Sequence, residues 1–325
     1  MYKPIELRMR PCAPWRTYWR ADTLFGSLCW MCAHTRGEQF LRDRWIDPCI
    51  EGHPPVVFSD GFQPGVLPVP AWFRYFDWPA EIRKSAGASS LVSVAGMEDV
   101  RCGKAVDYGL LKKTAVRSVA KLHNTLDRLT GTTGEEGSLF EMTDLAYANA
   151  AEDANIITVY ARVEPERFDE LLDLMFVLGR TGFGADSAIG RGQFELLEPM
   201  DADWLDATPN ESDAIIVLST FQPGCGDPTD GLWQISPKAG RLGHGFGLEN
   251  FQVQKSPMLM LSPGACFKSK PCPSFVGRAI PMGEFLPDDV AGYLAGRGAQ
   301  VIHPAFGLPI AAKWPDWARL SPLAN

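Results

Sequence analysis

The chain has 325 residues, 46% of them apolar, and a formal net charge of −8. That length accommodates two domains of ordinary size, each with a real core. The acidic total argues mildly against nucleic-acid binding, though an average hides patterning, no run of about 18 uncharged apolar residues suggests a membrane-crossing helix, and Met1-Tyr2-Lys3-Pro4-Ile5-Glu6 lacks the apolar region of an export signal, so a cytoplasmic protein is expected.

Residues 2–10 alternate, with Ile5, Leu7 and Met9 on one side, and predict a strand with one buried face. A loop rich in Pro, Trp and Arg follows over 11–20. Asp22-Thr23-Leu24-Phe25-Gly26-Ser27-Leu28 then opens a helix, with Asp22 as the expected N-cap and Leu24, Leu28, Met31 and Cys32 as its inner stripe. Gly26 inside that helix costs about 1 kcal/mol relative to Ala, which points to close approach by a neighbour or a ligand. The prolines and glycines of 56–70 read as an edge strand and a loop. Over 111–122 two readings stand. Leu111, Ala115, Val119 and Leu122 fit a helix with Lys113, Arg117 and Lys121 on another face; the alternative is an extended insertion. Ile156–Val163 is a strand, and Phe168, Leu171, Leu172, Met175 and Leu178 mark a helix opened by Pro165. Pro199–Glu211 reads as a linker. Beyond it, 214–220, 231–235, 257–261 and 301–310 read as strands, with a glycine loop at 240–247.

Between the helix at 168–178 and the strand starting at Phe194 lies Gly179-Arg180-Thr181-Gly182-Phe183-Gly184-Ala185-Asp186-Ser187-Ala188-Ile189-Gly190-Arg191-Gly192. Five glycines and two arginines in fourteen residues suit a loop that holds an anion: glycine lets backbone N–H groups approach, and arginine adds a planar donor fork. The order helix–loop–strand excludes a dinucleotide fingerprint, which needs strand–loop–helix. Gly-Lys-Ser/Thr is absent, which excludes a P-loop.

The eight cysteines are scattered, and Cys29-x-x-Cys32 has no second pair at finger spacing, so reduced thiols and no metal are expected. Charge is patterned. Residues 101–128 hold seven Lys/Arg against two Asp, and 238–278 hold six against one Glu. Residues 135–173 hold eleven acids against two arginines. Such a chain suits RNA on one face and a protein partner on another, with 135–173 as a candidate docking face.

Four stretches carry a resemblance. Ala21-Asp22-Thr23-Leu24-Phe25-Gly26-Ser27, Phe58-Ser59-Asp60-Gly61-Phe62 with Leu67-Pro68-Val69-Pro70, His123-Asn124-Thr125-Leu126-Asp127-Arg128-Leu129-Thr130-Gly131 with Gly137-Ser138-Leu139-Phe140, and the glycine loop resemble the RAMP superfamily of CRISPR proteins. Within it, the chain is similar to the branch that holds the crRNA 5′ handle in type III-A effector complexes. The resemblance implies an α+β fold of two tandem ferredoxin-like (RRM-like) domains. Residues 1–200 would form the first, with a thumb-like insertion at about 75–150, and 201–325 a degenerate second. It implies binding of the crRNA 5′ handle, docking of a large polymerase/cyclase-type subunit and of a backbone RAMP subunit, and no membrane, cofactor or catalysis.

The expected RNA contacts follow from the same stretches. Arg16, Arg20 and Asp22 stand at the start of a helix whose N-terminus suits a phosphate. Lys113, Arg117, His123, Asn124 and Arg128 lie in the first basic segment. Arg180, Gly182, Phe183, Gly184, Ser187, Gly190, Arg191 and Gly192 form the loop. Arg241, His244, Phe246, Lys268 and Lys270 lie in the second basic segment. Phe183, Phe246 and Phe306 are candidates to stack unpaired bases. His123 is the one candidate for acid–base work on RNA, as in relatives that process crRNA; a loop hydrogen bond is the alternative role.

Overall fold

The structure is a computed structural model, and it describes residues 1–104, 107–114, 116–126, 128–133, 139–147, 155–242 and 254–318. Strand β1 (Lys3–Pro11) alternates as its sequence predicts, burying Ile5, Leu7 and Met9. Helix α1 (Ala21–Arg36) buries Leu24, Phe25, Leu28 and Cys32 and ends at Gly37, whose φ of 92° only glycine adopts freely. The short helices α2 (Glu38–Leu41) and α3 (Asp47–Ile50) carry Trp45 between them into the core. Strands β2 (Val56–Phe58) and β3 (Val66–Pro68) occupy the Pro- and Gly-rich stretch. Helix α4 (Ala80–Gly87), strand β4 (Leu91–Ser93), helix α5 (Val94–Arg101) and strand β5 (Leu111–Lys112) follow, and β3, β4 and β5 form a small sheet. Ser93 Oγ caps α5 by accepting the Gly96 N–H at 3.1 Å.

Strands β6 (Val116–Asn124) and β7 (Leu139–Tyr147) form an antiparallel hairpin. The helical reading of 111–122 therefore fails, for a physical reason. Val119 and Leu122 are 46% and 78% exposed, so there is no core for a helical stripe to face. Arg117 and Lys121, four residues apart, share one face of the strand as they would have shared one face of a helix, because four is an even number.

Strand β8 (Ile157–Val163) is buried at all seven positions because it runs between β1 and β2. Helix α6 (Phe168–Thr181) buries Leu171, Leu174, Met175 and Leu178 and contacts α1 and β9 (Phe194–Leu196), which returns beside β1. All pairings are antiparallel, in the order β9–β1–β8–β2, with β10 (Met200–Asp201) continuing the β1 edge. The expected linker 199–211 is thus partly a strand, and its Ala202 and Leu205 are buried.

In the second half, β11 (Ala214–Val217), β12 (Gly231–Leu232), β13 (Ile235–Lys238), β14 (Met258–Leu261) and β15 (Cys266–Lys268) precede β16 (Val276–Pro281), α7 (Asp288–Gly296), β17 (Ile302–Gly307) and β18 (Pro309–Ala312). The main sheet runs β12–β15–β11–β18, while β13–β14 and β16–β17 form separate pairs. The stretch 301–310, expected as one strand, breaks at Leu308: β17 pairs with β16 and β18 with β11. The whole is an α+β chain of small antiparallel sheets, the class expected from the sequence.

The halves share a core. One apolar cluster runs from Ile5, Leu24 and Val159 through Ile216, Cys266 and Ile310 to Trp314. Buried arginines tie it further. Arg162 on β8 donates to the carbonyls of Ser274 at 3.0 Å, Pro309 at 2.8 Å and Leu205 at 2.9 Å, and pairs with Asp206. Arg101 donates to Ala311 O at 2.9 Å and Trp204 O at 3.0 Å. Each carbonyl is thereby partnered, as buried polar groups must be.

Candidate nucleic-acid interface

The hairpin and the glycine loop come together. Strand alternation and the register of β6 with β7 put Arg117, Val119, Lys121 and His123 on one face, opposite Phe140, Met142 and Asp144. Asp144 is buried at the base of that face. Its carboxylate takes Arg191 of the loop at 3.0 Å and Lys121 at 3.1 Å. Arg16 closes the contact from a third side, donating to Thr143 O at 3.2 Å and pairing with Asp186 of the loop. A backbone bridge between Trp15 and Leu145 holds the edge of β7.

The loop itself is built on glycine. Gly192 (φ 71°) donates its N–H to Pro14 O at 2.9 Å, and a Cβ there would lie 2.1 Å from Phe183 O. At Gly182 (φ 101°) a Cβ would lie 2.3 Å from Arg191 O. Both positions need left-handed backbone and close approach together. Gly184 packs on Thr17, whose Oγ1 accepts the Ala185 N–H at 2.9 Å, while Gly190 meets nothing within 4 Å. Ser187 opens a single 3-10 turn, partly exposed, and Arg180 lies exposed over the Phe176 ring.

Several sequence-based expectations are corrected here. Phe183 is fully buried and stacks on Trp19 with centroids 4.1 Å apart, so its ring is core and presents no face to a base. Phe306 is also buried, edge-on to Phe275. Asp22 is not the N-cap; Arg20 holds that position, without a side-chain cap bond. Nor is the helix start open to a phosphate. Asp60 accepts the Ala21 N–H at 3.0 Å, together with the Thr220 N–H at 2.9 Å and the Thr220 hydroxyl at 2.7 Å, and Asp22 Oδ1 accepts the Thr23 N–H at 2.8 Å. Two carboxylates already stand where the helix dipole would attract an anion. Among the described residues no atom lies within 4 Å of a Cβ built at Gly26, so none of them explains it.

Asp22 belongs instead to a junction between the halves. Its side chain is fully buried and pairs with Lys238 from β13, and His303 Nε2 of β17 lies 2.8 Å from its Oδ2. Lys238 also reaches Thr23 Oγ1 at 2.8 Å, and Arg20 reaches Ser236 Oγ at 3.4 Å. Burial opposes ionisation of Asp22, but the adjacent His303 ring and the Lys238 charge outweigh it and hold the carboxyl well below its usual range. Burial pushes the His303 pKa down, against the pull of Asp22. Burial pushes Asp60 up, although three hydrogen bonds oppose the rise.

The other expected contacts are dispersed. Lys113, Asn124 and Arg128 are exposed on or beside the hairpin. The His123 ring stacks on Phe140 with centroids 5.7 Å apart. Lys268 pairs with Asp230 at 3.2 Å and sits opposite Ala214, at the far end of β11 from Thr220, with Lys270 two residues on. They do not join the hairpin surface. Arg241 bridges Gln254, and His244 and Phe246 lie outside the described residues. In the acidic segment 135–173, Asp144 and Glu170 are spent on internal pairs, the latter with Trp45 Nε1 and Arg44. Asp144, Lys238 and His303 are functional or structural partners that sequence reasoning missed. Lys238 is 216 residues from Asp22, and no local spacing announces such a pair.

Chemically, the hairpin face and loop offer cations, exposed apolar side chains and an imidazole. Among the described residues no group of three or more His, Cys, Asp or Glu is placed to hold a metal ion, and no helix is long and apolar enough to cross a membrane.

An α+β chain of two halves with one core, a projecting basic hairpin and an arginine-bearing glycine loop beneath it is the class defined by these observations. No family model matches the chain, and no curated protein does. Solved structures match over nearly its full length. A chain of the crystal structure of the Csm1-Csm4 cassette in complex with pppApA is 16% identical, with 97% of this chain and 99% of that chain covered and a TM-score of 0.61. The cassette in complex with cA4 gives the same identity and TM-score, with 96% and 99% covered. The Csm3-Csm4 subcomplex of the type III-A CRISPR-Cas interference complex contains a chain 13% identical, with 85% and 94% covered and a TM-score of 0.56. The chain has a Csm4-like fold.

Proposed function

We propose that this chain is a non-catalytic, crRNA-binding structural subunit of a type III-A CRISPR effector complex, working in the cytoplasm. It holds the 5′ handle of the guide and links a large polymerase/cyclase-type subunit to backbone RAMP subunits. The observation that carries the reading is the full-length likeness of fold to structures of Csm1-Csm4 and Csm3-Csm4 assemblies. The order β9–β1–β8–β2, with α1 and α6 between its strands, supports a ferredoxin-like first domain over 1–200. The second, over 201–325, is a degenerate copy.

The local chemistry agrees. A single-stranded RNA backbone requires cations in a row, and apolar surface is the natural partner of base faces. The hairpin supplies both: Arg117, Lys121 and His123 on one face, and exposed Val119, Leu122, Leu126 and Phe140 along its length. Arg16 and Arg191 anchor it to the glycine loop and Arg180 extends the basic surface beyond.

The decisive experiment is electrophoretic mobility and cleavage of a labelled crRNA with the full chain in EDTA. The expected result is a stable shift, lost when the 5′ tag is deleted, with the RNA intact. Discrete cleavage abolished by His123→Ala would replace this reading with a crRNA-processing endoribonuclease.

A further inference from the structure

One aromatic side chain beside the hairpin surface is turned the other way from its neighbours. The loop between β1 and α1 carries Trp15, Tyr18 and Trp19. The two tryptophans are buried and interlocked: Trp15 stands edge-on to Tyr147, while Trp19 stacks on Phe183 and meets Phe194 edge-on. Tyr18 is 58% exposed. Single exposed apolar side chains are ordinary on a protein surface, so exposure alone assigns nothing to it. What sets Tyr18 apart is that the chain is fastened on both sides of it. Before it, Trp15 exchanges backbone hydrogen bonds with Leu145 at 3.2 and 2.6 Å. Arg16 donates to Thr143 O at 3.2 Å and pairs with Asp186, and Thr17 Oγ1 accepts the Ala185 N–H at 2.9 Å. After it, Trp19 O accepts the Gly61 N–H at 2.6 Å, and a Cβ at Gly61 would lie 2.5 Å from the Trp19 Cβ. Arg20 donates its N–H to Tyr18 O at 2.8 Å and reaches Ser236 Oγ at 3.4 Å. The ring is thus held out to solvent by a fixed segment, between the base of the hairpin and the second half of the chain.

We propose that Tyr18 is the platform on which one unpaired base of the guide stacks. This rests on the RNA-binding function proposed above and deepens it. It gives the site the aromatic face that the glycine loop does not supply, since Phe183 is buried against Trp19. A ring face accepts the π-face of any base, and tyrosine, with two side-chain torsions, loses little freedom when it is covered. Fixing the flanking backbone beforehand removes a further ordering cost at the moment of binding. The surroundings favour RNA over a protein surface as the occupant. Residues 11–20 hold two arginines and no acid, and the neighbouring hairpin and loop expose Arg117, Lys121 and Arg180. Arg16 and Arg20 are themselves held by Asp186 and Ser236. The segment's own contribution is therefore the ring, and the phosphates on either side of the stacked base fall to the exposed cations of the hairpin and loop.

The test is a photocrosslinking and binding series on the full chain. A labelled crRNA carries 5-iodouridine, which crosslinks to a stacked aromatic ring, at each handle position in turn, and mass spectrometry reads the crosslinked residue. One position should crosslink to Tyr18. Tyr18→Leu keeps an apolar side chain and removes the π-face; it should lose that crosslink and bind the RNA about tenfold more weakly. Its slope of log affinity against log salt should equal that of the wild type, because stacking releases no counterion. Its urea midpoint should also be unchanged, because the ring is exposed. Tyr18→Phe should restore both affinity and crosslink. Wild-type-like affinity in Tyr18→Leu, or no crosslink to Tyr18 from any position of an RNA that the wild type binds, would overturn the platform and leave the RNA-binding reading intact. An equal loss in Tyr18→Phe would overturn stacking in favour of a hydrogen bond from the hydroxyl. No RNA binding by the wild type would remove the RNA-binding reading and the platform with it.

Discussion

Two charged regions of this chain differ in a way that separates architecture from function. At the junction, Asp22 is fully buried and bound to Lys238 and His303 from the other half. On the hairpin and glycine loop, Asp144 is the only buried charged side chain among the described residues, while Lys121 and its neighbours reach solvent. A buried charge that loses its partner has no water to turn to; an exposed one does. Substitutions at the junction should therefore appear in stability, and substitutions on the hairpin in binding.

The largest expected effect tests the first half of that contrast. Asp22→Asn leaves Lys238 beside a neutral amide and should lower unfolding free energy by about 3–5 kcal/mol in urea, with an unchanged slope. A loss under about 1 kcal/mol would mean that the junction is as solvated as the surface. The loop backbone comes next. Gly192→Ala forces a Cβ to 2.1 Å from Phe183 O at φ 71° and should cost about 1–3 kcal/mol, with amide exchange rising first in 179–192. An alanine variant as protected as the wild type would show that the loop adapts freely.

The pH response of the junction follows from signs. His303 is held below its ordinary value of 6.5, so the folded state binds fewer protons than the unfolded one as pH falls through that range. Its contribution is complete above about pH 6.5 and is lost as pH drops toward the lowered value. The urea midpoint should decline on acidification from there, and decline less in His303→Asn. Asp22 adds a second loss only in stronger acid, below its ordinary 3.8. Equal slopes in wild type and variant between pH 7 and pH 5 would remove His303 from the account.

The smallest effects on stability belong to the hairpin and the loop arginines. Arg117→Ala and Arg180→Ala should each change unfolding free energy by no more than about 0.5 kcal/mol. Each should reduce the salt slope of RNA binding by about one. If either alters stability strongly and binding not at all, the contrast between the two regions is drawn in the wrong place.

Much of the local architecture was legible in the chain. The alternation of Ile5, Leu7 and Met9, the helical stripe from Phe168 to Leu178 and the glycine spacing before Phe194 each gave the element that forms there. The basic hairpin was half-legible: Arg117 and Lys121 fall on one face whether the segment is helix or strand, so spacing alone left the conformation open. Of the two loop arginines expected as RNA contacts, Arg180 is exposed and Arg191 is captured by Asp144, a partner that spacing does not announce. Phe183 was misread because an aromatic between glycines looks available, and nothing nearby in sequence announces Trp19 as its stacking partner.

What local sequence decides is periodicity, turn chemistry and the sign of charge along the backbone, because these depend on neighbours within a few residues. What only the tertiary structure decides is where charge is taken out of water. Asp22 looked like a helix cap and a phosphate site; the fold brings Asp60, Lys238 and His303 to it from 38, 216 and 281 residues away and makes it the centre of a buried network. Burial changes the energy of a charge by more than any neighbour along the chain, and burial is a property of packing between segments that the sequence keeps far apart.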